Sequence, residues 1–210
     1  MRFHDHLRMY TMLIDKLIET QSIIITLDVD THLFEKLKQI SDAGLSVVEV
    51  NCIDPIVLRN ILHNFPMLRI GAGNIINVQQ LDDCHQAGAH FITSPGFLPS
   101  LAQTAAIYSI NYLPGIATLS EAMHAIELGC HNVRPFPANL AFCTHLNKCL
   151  PLLRLFPAEI EWEEAEHFLN LPSVAAVSII NPEMKQLQAF RNELEFGQSH
   201  MQKQACSLSK

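Results

Sequence analysis

The chain lacks any uninterrupted apolar run near the roughly 20 residues that a helix needs to cross a bilayer, although 49% of its residues are hydrophobic. No membrane partner is expected, and the protein should be soluble. It also lacks a CxxC pair. Cys52, Cys84, Cys130, Cys143, Cys149 and Cys206 are scattered, which excludes a zinc-knuckle pattern and a dense disulfide framework and leaves reduced thiols as the expectation. Clustered Lys and Arg are missing too: 14 basic against 21 acidic residues give a net charge of −7. That balance disfavours nucleic acid and anionic membranes, because both need cations to neutralise phosphates. The first residues, Met1 to His6, carry acids and histidines instead of a basic segment followed by a long apolar one. A cytoplasmic location is expected, with a small molecule or a protein as partner. The 11 histidines include no HExxH pattern, and no HxH beyond His4 and His6, so no metal site is expected.

What the chain does have is a rhythm. Short β-prone runs alternate with helical-period segments from about residue 22 to about residue 190, the signature of repeated βα units around a parallel sheet. The expected strands lie near Ile23–Leu27, Ser46–Asn51, Leu68–Gly71, His90–Thr93, Asn111–Leu113, Asn132–Pro135, Leu152–Phe156 and Val174–Ile179. Eight parallel strands predict a closed (β/α)8 barrel, an α/β fold that about 200 residues can build. Between the first two strands, Leu33, Phe34, Leu37 and Ile40 form one apolar stripe while Glu35, Lys36 and Lys38 stay wet. Gly44, Gly88 and Gly129 each follow a helical segment, where a left-handed residue commonly stops it. Residues 1–20 read as a helix before the first strand, so one domain is expected over 1–197. The polar tail, 198–210, is expected to be loosely ordered.

Such barrels carry their chemistry at the C-terminal ends of the strands. Those ends read VEVN at Val48–Asn51, GAGNIIN at Gly71–Asn77, FITSPGF at Phe91–Phe97, LPGIAT at Leu113–Thr118 and VRPFPA at Val133–Ala138. This ordered set resembles the 2-keto-3-deoxy-6-phosphogluconate (KDPG)/4-hydroxy-2-oxoglutarate (KHG) aldolases, whose corresponding stretches look like EVT, GAGTVLN, FxxSPG, PGxxT and KFFPA. The resemblance covers roughly residues 20–182 and implies a class I aldolase-like TIM barrel, a homotrimer, a small keto-acid ligand and no metal or organic cofactor. In that family a strand-six lysine attacks the substrate ketone, and the protonated imine serves as electron sink for carbon–carbon cleavage to pyruvate and an aldehyde. Glu49 matches the acid/base glutamate, flanked by valines that point the other way; a glutamate merely ion-paired inside the barrel mouth is the alternative. Asn51, Asn74, Ser94, Pro95, Pro114 and Phe136 fall at the substrate-binding positions.

The departure is at strand six, where Arg134 occupies the Schiff-base lysine position. A guanidinium stays protonated and its delocalised nitrogens are poor nucleophiles, so no imine forms there. None of Lys16, Lys36, Lys38, Lys148, Lys185, Lys203 and Lys210 is expected at a strand end; Lys148 comes nearest, in the sixth helix. Asn51 and Asn74 replace threonines, and Ile53 falls where an arginine is usual. The PTGGI-like phosphate turn is replaced by FPAEI at Phe156–Ile160, with Glu159 near the anion's place, and the GGS-like turn by IINP at Ile179–Pro182. Phosphorylated substrate is therefore expected to bind poorly. A second RxFPA run at Arg154–Ala158 repeats the one at Arg134–Ala138; reused loop geometry and a duplicated site both account for it. Cys143 and Cys149 read as packing thiols. Three functions stand side by side: an aldehyde-lyase of this family, a relative that binds a keto acid or a protein partner without imine chemistry, and a lyase in which Glu49 works with a bound metal.

Overall fold

A computed structural model describes residues 22–183 and 185–187. In chain order the elements are β1 Ile23–Asp28, α1 Leu33–Asp42, β2 Val47–Asn51, α2 Pro55–Asn64, β3 Arg69–Ala72, α3 Val78–Ala87, β4 Phe91–Ser94 and α4 Pro99–Tyr108. There follow β5 Asn111–Ile116, α5 Leu119–Glu127, β6 Asn132–Pro135, α6 Leu140–Cys149, β7 Arg154–Leu155, a 3-10 turn Trp162–Glu164, α7 Ala165–Leu169 and β8 Val177–Ile180. All eight strands are parallel, in the order β7-β6-β5-β4-β3-β2-β1-β8. Backbone bonds then close the ring between its two ends: Leu155 N–H to Ser173 O at 2.8 Å, Ala175 N–H to Leu155 O at 2.9 Å and Ser178 N–H to Pro157 O at 2.8 Å. The expected (β/α)8 barrel is the observed fold, and among the described residues no helix is long and apolar enough to cross a membrane. The expected first helix and polar tail lie outside the described residues.

Alternation along each strand divides the apolar residues into two cores. Ile23, Ile25, Leu27, Val48, Val50, Ile92 and Val133 pack outward against the helices, while Ile24, Val47, Phe91, Leu113, Phe156 and Ala176 fill the barrel. On α1, Leu33, Leu37 and Ile40 are buried as expected. Phe34 departs from that stripe: it is 43% exposed and lies against Phe65 with ring centroids 6.0 Å apart, because a helical step of about 100° carries it past the edge of the buried face. Gly44, Gly88 and Gly129 all have positive φ, in keeping with the stops read from the sequence.

The filling of the barrel depends on one absent side chain. A Cβ at Gly71 would fall within the ring of Phe91, which is fully buried. We predict that Gly71→Ala lowers stability by about 1–3 kcal/mol through overpacking. Equilibrium denaturation should find Gly71→Ala/Phe91→Leu less destabilised than the sum of the single changes.

Candidate active site in the barrel mouth

Strand alternation that buries Val48 and Val50 against the helices turns Glu49 into the barrel, where its side chain is 2% exposed. The same rule applied to β6 turns Arg134 inward beside it, with its side chain 7% exposed. The two form a direct ion pair, Arg134 Nη1 to Glu49 Oε1. Nη1 also donates to Thr93 Oγ1 at 2.8 Å, and the Thr93 hydroxyl donates in turn to Glu49 Oε1 at 2.8 Å. On the other oxygen, Thr26 Oγ1 donates to Oε2 at 3.3 Å. A hydroxyl has one proton to give, so in this arrangement Ser178 Oγ donates in turn to Thr26 Oγ1. Glu49 therefore accepts from three side chains on three strands, twice at Oε1 and once at Oε2. Arg134 lies against the Phe136 ring, with Cζ 5.6 Å from the centroid. Its Nε is buried without a hydrogen-bond partner.

Above this layer, Asp28 at the end of β1 accepts from Asn51 Nδ2 and Asn181 Nδ2, each at 2.8 Å, and its N–H donates to Asn181 Oδ1 at 3.2 Å. The ends of β1, β2 and β8 are thereby laced together. Gly73 lets β3 approach this region, since a Cβ there would collide with Asn51 Oδ1 and Glu49 Oε1. Glu159 stands after β7 at φ 57°. Burial lifts its carboxyl above the ordinary value; Arg134 opposes that rise, and the charges of Glu49 and Asp28 add to it.

The positions named from sequence fare differently. Glu49 and Arg134 meet, and Phe136 joins them. Asn51 reaches the mouth, but its amide is held by Asp28. Asn74 and Pro95 are exposed in the loops after β3 and β4. Ser94 and Pro114 are buried and paired in register, and alternation turns them away from the inward Thr93 and Leu113. Ser94 Oγ bonds Tyr112 Oη and Gly96 O, each at 2.6 Å, so its hydroxyl holds the β4 loop rather than the mouth. Thr26, Asp28, Thr93, Ser178 and Asn181 were missed. For Thr26 and Ser178 the signal was present: one polar residue between apolar neighbours in a strand, the argument that singled out Glu49.

Pairing Asn132 with Arg154 and Val133 with Leu155 decides between the two RxFPA runs. Arg134 is level with Phe156, while Arg154 starts its strand one inward layer lower, so the repeat is offset and does not duplicate the site. Lys36, Lys38, Lys148 and Lys185 all lie on outer helical segments; Lys16, Lys203 and Lys210 lie outside the described residues, as do His4, His6 and Cys206. Burial pushes the Cys143 thiol up to about 11, consistent with packing, whereas Cys149 is exposed. Among the described residues no group of three or more His, Cys, Asp or Glu side chains converges, which leaves the metal-assisted reading without a ligand set there.

A family model described as KDPG and KHG aldolase matches residues 14–188. Similar proteins include the KHG/KDPG aldolase of Escherichia coli, 35% identical over 112 residues that are 51% of this chain and 52% of that protein. The 2-dehydro-3-deoxy-phosphogluconate aldolase of Zymomonas mobilis is 34% identical over 97 residues, 45% of this chain and 47% of that one. The chain thus spans about half the length of the curated relatives it matches. Among solved structures, the 2-keto-3-deoxy-6-phosphogluconate aldolase of Zymomonas mobilis aligns with a TM-score of 0.74 at 26% identity, over 86% of this chain and 95% of that one. The KDPG aldolase of Legionella pneumophila, with pyruvate captured as a covalent carbinolamine, aligns with a TM-score of 0.70 at 24% identity, over 81% and 92%.

Removing one member of a buried pair strands the other charge, at a cost of about 3–5 kcal/mol, whereas replacing both with apolar groups is often neutral. Arg134→Met and Glu49→Leu are each expected to destabilise by that amount. In a double-mutant cycle by urea denaturation, Glu49→Leu/Arg134→Met should lie closer to the parent than either single variant.

Proposed function

The chain belongs to the KDPG and KHG aldolase family, and from that premise we propose that it binds a short 2-keto acid in the barrel mouth without forming an imine. Its Schiff-base lyase activity is lost on this reading. One observation carries the proposal: the inward position on β6 holds Arg134, ion-paired to Glu49. A guanidinium cannot form an imine with a ketone, because it stays protonated and its lone pairs are delocalised. The carboxylate that would move protons is occupied as well, accepting from Arg134, Thr93 and Thr26. What the pair retains is a fixed cation whose planar fork suits a carboxylate or keto oxygen. Family membership makes a homotrimer the expected assembly, and the composition makes the cytoplasm its expected location.

The test uses the full chain. Pyruvate release from KDPG and KHG should stay at the blank rate in a dehydrogenase-coupled assay at high protein concentration, and borohydride should trap no pyruvate adduct detectable by mass spectrometry. Release or trapping in the parent protein would overturn the reading. Arg134→Lys is expected to gain a borohydride-trapped pyruvate adduct, since an amine then occupies the inward position of β6.

A further inference from the structure

The mouth differs in chemistry from a site for a phosphorylated sugar acid, and four features point to the same alternative. First, Arg134 is 6% exposed, and its Nε–H has no partner while Nη1 is spent on Glu49 and Thr93. A buried donor left unpaired is costly, so the site is short of one acceptor oxygen. Second, the segments that follow the strands, at 29–32, 52–54, 73–77, 95–98, 117–118, 136–139, 156–161 and 181–183, contain no Lys or Arg. Third, four of the seven N-termini of the described helices, where anions commonly bind, are already capped by side chains, while those of α1, α4 and α7 are not. Asp54, Asn77 and Asn139 accept from the N–H groups of Ile56, Gln80 and Phe142, and Thr118 with Glu121 forms a capping box.

The fourth feature is apolar. Six of the eight strand ends carry an exposed large aliphatic residue: Val29 at 49%, Ile53 at 47%, Ile76 at 57%, Leu98 at 36%, Leu119 at 38% and Leu140 at 40%. Strand ends of a parallel barrel converge on one face, so these residues border the opening into which Glu49 and Arg134 point. Exposed apolar side chains gathered on one face of a barrel suit a ligand that is itself apolar. Asp28, held at the mouth by Asn51 and Asn181, and the nearby Glu159 add negative charge with no cation beyond Arg134 to offset it. A ligand with a second anionic group meets their field.

We infer that the mouth takes a 2-keto acid with a single carboxylate and a hydrocarbon side chain, in preference to dicarboxylic or phosphorylated acids. The inference rests on the non-covalent keto-acid site proposed above. The carboxylate or keto oxygen supplies the acceptor that Arg134 Nε lacks, and the side chain covers the aliphatic border.

Isothermal titration of the full chain with pyruvate, 2-oxohexanoate, 2-oxoglutarate and KDPG tests it. Each methylene buried is worth about three- to fourfold in affinity, so 2-oxohexanoate should bind at least tenfold more tightly than pyruvate, and 2-oxoglutarate and KDPG at least tenfold more weakly than 2-oxohexanoate. Ile53→Ser/Ile76→Ser should shrink the advantage of 2-oxohexanoate over pyruvate, and Glu159→Gln should narrow the gap between 2-oxohexanoate and 2-oxoglutarate. If pyruvate binds but 2-oxohexanoate gains less than tenfold, this inference falls and the keto-acid site stands. If no 2-keto acid binds, both fall.

Discussion

A carboxylate and a guanidinium turned inward from opposite arcs of a closed barrel are almost wholly removed from water, so each must be neutralised by what the barrel supplies. Desolvation costs several kcal/mol per ion, and only close pairing with satisfied hydrogen bonds recovers it. Glu49 and Arg134 meet that requirement in part, through one another and through Thr26, Thr93 and Ser178, with Arg134 Nε left unpaired. The polar layer across β1, β2, β4, β6 and β8 exists because of this pair. Had β6 carried an uncharged inward residue, Glu49 would face the same desolvation with two hydroxyls as donors. The arginine is thus the group that stabilises the buried carboxylate.

The constraint reaches the rest of the barrel through register. Because side chains alternate strictly along a strand, a polar layer in the mouth forces the layer below it to be filled by apolar groups, and Ile24, Val47, Phe91, Leu113, Phe156 and Ala176 fill it. Phe91 is large enough to span part of the interior only because Gly71 offers no side chain opposite it. The outer layer, from Ile23 to Leu187, holds the helices against the wall and leaves the mouth free to vary. That separation lets the loops after the strands, Phe156–Ile160 and Ile179–Pro182 among them, change while the fold is kept.

At the opening, electrostatics and hydrophobicity work together. The lacing of Asp28 by Asn51 and Asn181 fixes a negative charge, Glu159 stands nearby with its carboxyl lifted by burial, and aliphatic side chains border the face. These surroundings are the basis of the ligand preference inferred above, for one anionic end and little else that is polar. Specificity here comes as much from what is repelled as from what is held.

The sequence by itself determined the barrel and the strand positions, because alternation, helix stripes and the stops at Gly44, Gly88 and Gly129 are local properties that each segment carries alone. It also determined that Glu49 and Arg134 point inward. Only the tertiary structure decided which groups meet. The offset of Arg154 from Arg134 follows from inter-strand register, the diversion of Ser94 from the pairing of its hydroxyl with Tyr112, and the Asp28–Asn51–Asn181 lacing from contacts across as many as 153 positions. No local pattern encodes such contacts. They arise when eight separate segments close into a ring and the energy of burial selects which polar side chains share its interior.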